Sequence, residues 1–133
     1  MDIKILVATH KAYWMPEDDV YLPLHVGREG KQDLGFAGDN TGDNISFKNP
    51  NFCELTGLYW AWKNLQCDYI GLCHYRRYFC AANHGSDVES KHKAILHRSD
   101  YEKLLKYIEM PVVFMEKQDW PKKIYEFLKR KFK

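Results

Sequence analysis

DNTGDNISFKNPNFCELTGLYWAWKNLQCDYIGLCHYRRYF, residues Asp39 to Phe79, holds in order a polar loop, an aromatic helix, a short apolar strand and a cationic end. Asp39, Asn40, Gly42, Asp43 and Asn44 are turn formers, because their side chains bond local backbone or tolerate positive φ. Asn49-Pro50 reads as a helix start, with Asn as N-cap and Pro in the first turn. Leu55, Leu58, Tyr59, Trp62 and Leu65 then recur at helical spacing, which predicts a helix over 50–65 with one apolar face. Residues 68–73 (DYIGLC) are too short and too apolar for a second helix and read as a buried strand. That strand delivers His74, Tyr75, Arg76 and Arg77 at its carboxyl end, where open α/β sheets bind ligands.

Outward from this stretch the pattern repeats. Residues 3–8 (IKILVA) form a buried parallel strand that hands over to Thr9, His10 and Lys11. Residues 15–19 are loop, and residues 21–27 read as a short strand interrupted by Pro23. Between 27 and 44 lie five glycines among polar residues. They form a long loop whose spacing matches neither a dinucleotide fingerprint nor a P-loop. Residues 81–97 are a polar connection with short helical pieces. Ser99-Asp100-Tyr101-Glu102 reads as a capping box opening a helix over 100–109, and 112–115 (VVFM) as the next strand. Asp119-Trp120-Pro121 starts a basic helix through Phe132. Strands alternating with helices predict an α/β domain, a mostly parallel sheet with flanking helices.

The 133 residues are of a size for one domain, and 45% hydrophobic with 29% charged residues describes an ordinary globular chain. A formal net charge of +2 is too small to argue for nucleic acid, though it permits an anionic small ligand. No basic leader or long apolar run appears, so the expected location is the cytoplasm, with reduced cysteines. Cys53, Cys67, Cys73 and Cys80 form no C-x-x-C pair and read as small buried hydrophobes. A zinc site would need three of them to converge with His74. The basic last helix reads either as a docked terminal helix or as a peripheral contact with the inner face of a membrane.

The candidate site residues each carry two readings. Arg76 and Arg77 could clamp a diphosphate, since guanidinium geometry matches phosphate oxygens, or pair with surface carboxylates while Tyr75 fills core. In an extended segment neighbours point oppositely, so one of the two arginines at most would face a ligand. Asp39 and Asp43 could hold a divalent metal or a sugar hydroxyl, or serve turn chemistry with Asn40 and Asn44. His10 and Lys11 suit phosphate contact at a strand end or a solvated loop equally. Trp62 is expected in the core, and Trp60 either there or stacked on a sugar ring.

Four blocks also resemble a known family: DNTGDNIS (39–46), CELT (53–56), YWAWKN (59–64) and GLCHYRRYF (71–79). They are similar to the signature blocks of a bacterial capsular and exopolysaccharide family formerly labelled a domain of unknown function. Residues 3–11 are similar to that family's first strand and loop. The resemblance is strongest over residues 3–80, and the family's domain is usually close to twice this length. It implies a GT-A-like glycosyltransferase fold, here incomplete, with some members transferring galactofuranose. It further implies a nucleotide-sugar donor, a uridine diphosphate sugar by preference, and a surface glycan as acceptor. His10, Lys11, Asp39, Asn40, Asp43, Asn44, His74, Tyr75, Arg76 and Arg77 are the expected substrate contacts. No Asp-x-Asp motif follows the central strand, so a metal such as manganese stays open and no general base is assigned. Two alternatives stand beside this reading. One is a non-catalytic nucleotide-sugar-binding fragment. The other is a single-strand nucleic-acid module, which the weak charge and the lack of an RNP pattern argue against.

Overall fold

Ile3–Thr9 forms β1, buried at every position but Lys4, as its β-branched composition requires. It is flanked in parallel by β2 (Tyr21–His25) and β4 (Tyr69–His74), and β2 pairs in parallel with the two-residue β3 (Ala37–Gly38). A fifth strand, β5 (Met115–Glu116), runs antiparallel to β4, giving the order β3-β2-β1-β4-β5. The structure is a computed structural model and describes residues 1–107 and 115–116. The expected mostly parallel sheet is thus present. Residues 112–114 of the expected last strand, and the basic helix from 119, lie outside the described residues.

Pro23 sits inside β2 without breaking it. Ile5 N–H donates to Val20 O and Val26 N–H to Thr9 O, so the even-numbered residues of this strand face β1. Pro23 therefore turns its ring nitrogen away from β1. On that side β3 comes alongside only at Leu24 and His25, and no ladder bond is lost.

The sheet has two buried faces. Leu6, Ala8, Leu24, Val26 and Ile70 pack under Trp60 and Ala61 of helix α2 (Leu55–Asn64). Ile3, Ile5, Val7, Tyr21, Cys73 and Tyr75 form the opposite core with Ile95 and Tyr101. Tyr101 belongs to α4 (Arg98–Tyr107), and α3 (Val88–Lys93) precedes it in the 81–97 connection. Tyr21 Oη donates to Leu96 O at 2.6 Å and lies 2.9 Å from the Tyr101 hydroxyl, so the second core is closed by a buried polar link. Trp14 stacks on His92 of α3 with centroids 3.6 Å apart, fastening the segment after β1 onto the same face.

The helix expected over 50–65 is in two pieces. A 3-10 turn (Ser46–Lys48) leads into α1 (Asn49–Phe52), and the chain then breaks at Cys53, with φ +50, before α2 begins. Asn49 is not an N-cap. It sits within α1, and its amide donates to Cys53 O and Thr56 Oγ1, bridging the break. The face of α2 against the sheet is also shifted from the expected stripe to Thr56, Gly57, Trp60 and Ala61. Gly57 leaves no room for a Cβ, which would lie 2.8 Å from Val26 Cγ1, so small residues set the close approach while Leu58, Trp62 and Leu65 flank it. Trp60 is core and Trp62 only half-buried, under the Lys63 ammonium 4.0 Å above its ring. At α4 the helix starts one residue before the expected box: His97 N–H donates to Asp100 Oδ2 at 2.9 Å. Only Cys73 among the cysteines is fully buried, its thiol pushed up to about 12, whereas Cys53 and Cys80 are exposed.

Candidate functional site

Two adjacent parallel strands end together, and their next residues meet. β1 continues into His10 and Lys11. β4 ends at His74, where a tight turn returns the Arg77 N–H to His74 O at 2.8 Å. Tyr75 N–H donates to Ala8 O, so this turn is tied to β1. The His10 ring lies 5.4 Å from Tyr75 and 6.5 Å from His74, centroid to centroid. The Lys11 ammonium and Arg76 guanidinium stand 5.7 and 5.1 Å from the Tyr75 ring. Tyr75 is a buried pedestal, and the cations around it are exposed. Because residues 74–77 form a turn rather than extended chain, strand alternation does not separate Arg76 from Arg77.

His74 is biased toward its neutral form. Burial lowers its pKa below 6.5; His10, Arg77 and Arg76 add to the effect, and the Glu54 carboxylate at the α1–α2 break partly opposes it. Its Nδ1 accepts the Arg76 backbone N–H at 3.3 Å, which leaves Nε2 as the protonated nitrogen of the neutral ring. The turn therefore offers an imidazole N–H and the Arg76 guanidinium as donors, with the Arg77 charge near enough to act on His74.

The acidic loop is built differently. Asp39 is fully buried at the end of β3, and its carboxylate accepts four hydrogen bonds. Gly27 N–H and Arg28 N–H donate at 2.8 and 3.0 Å, and the Ser46 and Thr56 hydroxyls at 2.5 Å each. Those four donors fill the lone-pair sites of a carboxylate. Asp39 thus knots the β2 end, the 3-10 turn and α2 together. Asp43 lies on the outside of α2, accepting Tyr59 Oη at 3.0 Å beside the Lys63 ammonium. Asn44 closes a local turn onto Gly42 O and Ser46 N–H, and Asn40 is half-buried next to Asp39. A divalent ion does not fit this pair: one carboxylate is saturated internally and the other engaged on a helix flank. No group of three His, Cys, Asp or Glu converges for a metal among the described residues, the Cys67, Cys73, Cys80 and His74 set included.

Two residues of this edge escaped the sequence reading. Tyr13, 52% exposed, sets its ring edge-on to Tyr75 at 5.2 Å, extending the aromatic surface past Lys11. His25 ends β2 at 2% exposure, with neither ring nitrogen hydrogen-bonded among the described residues. The sequence signal for His25 is a histidine at the end of a strand-like run, beside Pro23.

The comparisons agree with this architecture. The family described as "Domain of unknown function (DUF4422)" matches residues 4–131, and the chain belongs to that family. Among solved structures, the chain is similar to the apo structure of WbbM, described as a bifunctional glycosyltransferase. The match has a TM-score of 0.64 and 32% identity over 81% of this chain. It covers 22% of the WbbM chain, so this chain spans about a fifth of that protein's length. The fold is thus α/β and consistent with the GT-A-like class. No curated protein gives a significant match. No helix among the described residues is long and apolar enough to cross a membrane.

Proposed function

We propose that the chain is the donor-binding part of a glycosyltransferase that moves a sugar from a nucleotide diphosphate sugar to a surface polysaccharide. One observation carries this reading. His10, Lys11, His74, Tyr75 and Arg76, far apart in sequence, meet at the carboxyl ends of two central parallel strands in a glycosyltransferase-like fold. In the transfer, the bond from the anomeric carbon to the diphosphate oxygen breaks and one to an acceptor hydroxyl forms. The leaving diphosphate gains negative charge, which Arg76, Lys11 and the His74 Nε2–H would stabilise, with Arg77 adding charge from the same turn. Fixed donors of this kind can neutralise that charge. The acceptor proton needs a base, and none of these groups is assigned that role.

Calorimetric titration with uridine diphosphate, with and without manganese, tests the reading. Binding is expected under both conditions. Arg76→Ala should weaken it about ten- to a hundredfold, the cost of one charge-assisted contact. Arg76→Lys should recover only part, because an ammonium lacks the planar fork. A folded protein that binds no nucleoside diphosphate would remove the reading. Binding without sugar transfer favours the non-catalytic alternative.

A further inference from the structure

His25 is a polar group enclosed without a hydrogen-bond partner among the described residues. It ends β2 in register with Thr9 of β1 and Gly38 of β3. By alternation it lies on the same sheet face as Tyr21, the face that also carries Tyr75. Two strand spacings, roughly 10 Å, separate its strand from that of Tyr75 and Arg76. Leaving both nitrogens of a buried imidazole unpaired is costly, and native interiors seldom do so without a function for the group. Its surroundings select the occupant. Burial, together with the Arg28 and Lys31 charges, lowers its pKa below 6.5, whereas Asp39 and Asp33 act in the other direction. A neutral imidazole has one N–H and one lone pair. A phosphate, which only accepts, would leave the lone pair idle; the edge of a nucleobase carries both donors and acceptors.

We propose that His25 reads the base of the nucleotide, its imidazole bonding the base edge while Arg76 and Lys11 hold the diphosphate two strands away. This rests on the nucleotide-sugar reading above and adds to it a specificity-determining residue. The segment that follows β2 carries Arg28 and Lys31, whose charges act on the His25 ring. Gly30 and Gly35 in that segment take φ +69 and +80, with nothing near a would-be Cβ.

The test titrates the wild type, His25→Ala and His25→Gln with the uridine, cytidine, adenosine and guanosine diphosphates and with pyrophosphate. Imidazole nitrogen resonances are followed in the wild type. The wild type should rank the four nucleotides over at least about tenfold, the scale of a hydrogen-bonded base edge. His25→Ala should flatten the ranking and leave pyrophosphate affinity unchanged, and His25→Gln should restore part of it. The His25 resonances should move with the preferred nucleotide and not with pyrophosphate. This wild-type readout stands even if His25→Ala fails to fold. A ranking that survives in His25→Ala, or His25 resonances indifferent to every nucleotide, overturns the inference in favour of an enclosed water. If the wild type binds pyrophosphate and all four nucleotides equally, the base-reading role falls while the diphosphate site stands. If it binds none of the five, the nucleotide reading itself fails.

Discussion

At the scale of single residues, Asp39 and His74 show how similar sequence signals acquire opposite uses. Both end strands among turn-forming or cationic neighbours. Asp39 is saturated by two backbone N–H groups and two hydroxyls, whereas the His74 ring keeps an Nε2–H at the rim of the edge. Asp39→Ala should therefore act on stability. Four buried donors lose their acceptor, and the expected cost is about 3–5 kcal/mol, read as a lower urea midpoint. The histidines give a pH signature. His25 and His74 both have folded pKa values below the 6.5 of the unfolded chain, so between those values the unfolded state binds more protons. Their contribution is full above pH 6.5 and is lost as pH falls through 6.5 toward the folded values. Unfolding midpoints measured from pH 8 down to pH 5 should fall in that window, and less steeply in His25→Gln. An identical slope in wild type and variant would refute the contribution of His25.

Elements meet here through small residues. Gly57 and Ala61 bring α2 down on Leu24 and Val26, and that approach lets Thr56 reach Asp39 and Trp60 Nε1 donate to Thr41 Oγ1 at 2.8 Å. Gly57→Ala tests the arrangement because two effects oppose. Alanine gains roughly 1 kcal/mol of helix propensity. Its methyl carbon would sit 2.8 Å from Val26 Cγ1 and 3.0 Å from Leu24 Cδ2, and overpacking typically costs about 1–3 kcal/mol. Val26 is stiff at χ1 and cannot swing aside, so net destabilisation is expected in chemical denaturation. A rise in stability would mean that the helix can lift without disturbing the Asp39 knot.

For the whole molecule, the segment after Phe79 completes a core begun by the first strand. Ile95 and Tyr101 are buried against Ile3, Ile5, Val7 and Tyr21, and Arg98 holds both Asp19 carboxylate oxygens at 2.9 Å. A chain ending at Phe79 would keep the four blocks 39–79 but expose this face. It should lose its cooperative thermal transition and bind a hydrophobic dye. A cooperative melt in the truncated chain would show that the α2 face alone sustains the fold.

Local pattern was enough for β1, β2 and β4, for an α/β sheet, and for the delivery of His10 and His74 at strand ends, because period, β-branching and turn residues act within a few positions; the two-residue β3 fell inside the expected loop over 27–44. Apolar spacing alone did not reveal the break at Cys53 or which stripe of α2 faces the sheet. The stripe depends on how closely Val26 and Leu24 allow Gly57 to come, and the break is held by Asn49 and Thr56 bonding to Cys53 O. Likewise, Asp39 and Asp43 look alike in the chain, and their separation into a buried knot and a helix-flank contact follows from which donors the folded backbone brings to each. The isolation of His25 is also tertiary. A histidine's partners come from neighbouring strands and loops, and only the assembled sheet edge shows that it has none among the described residues.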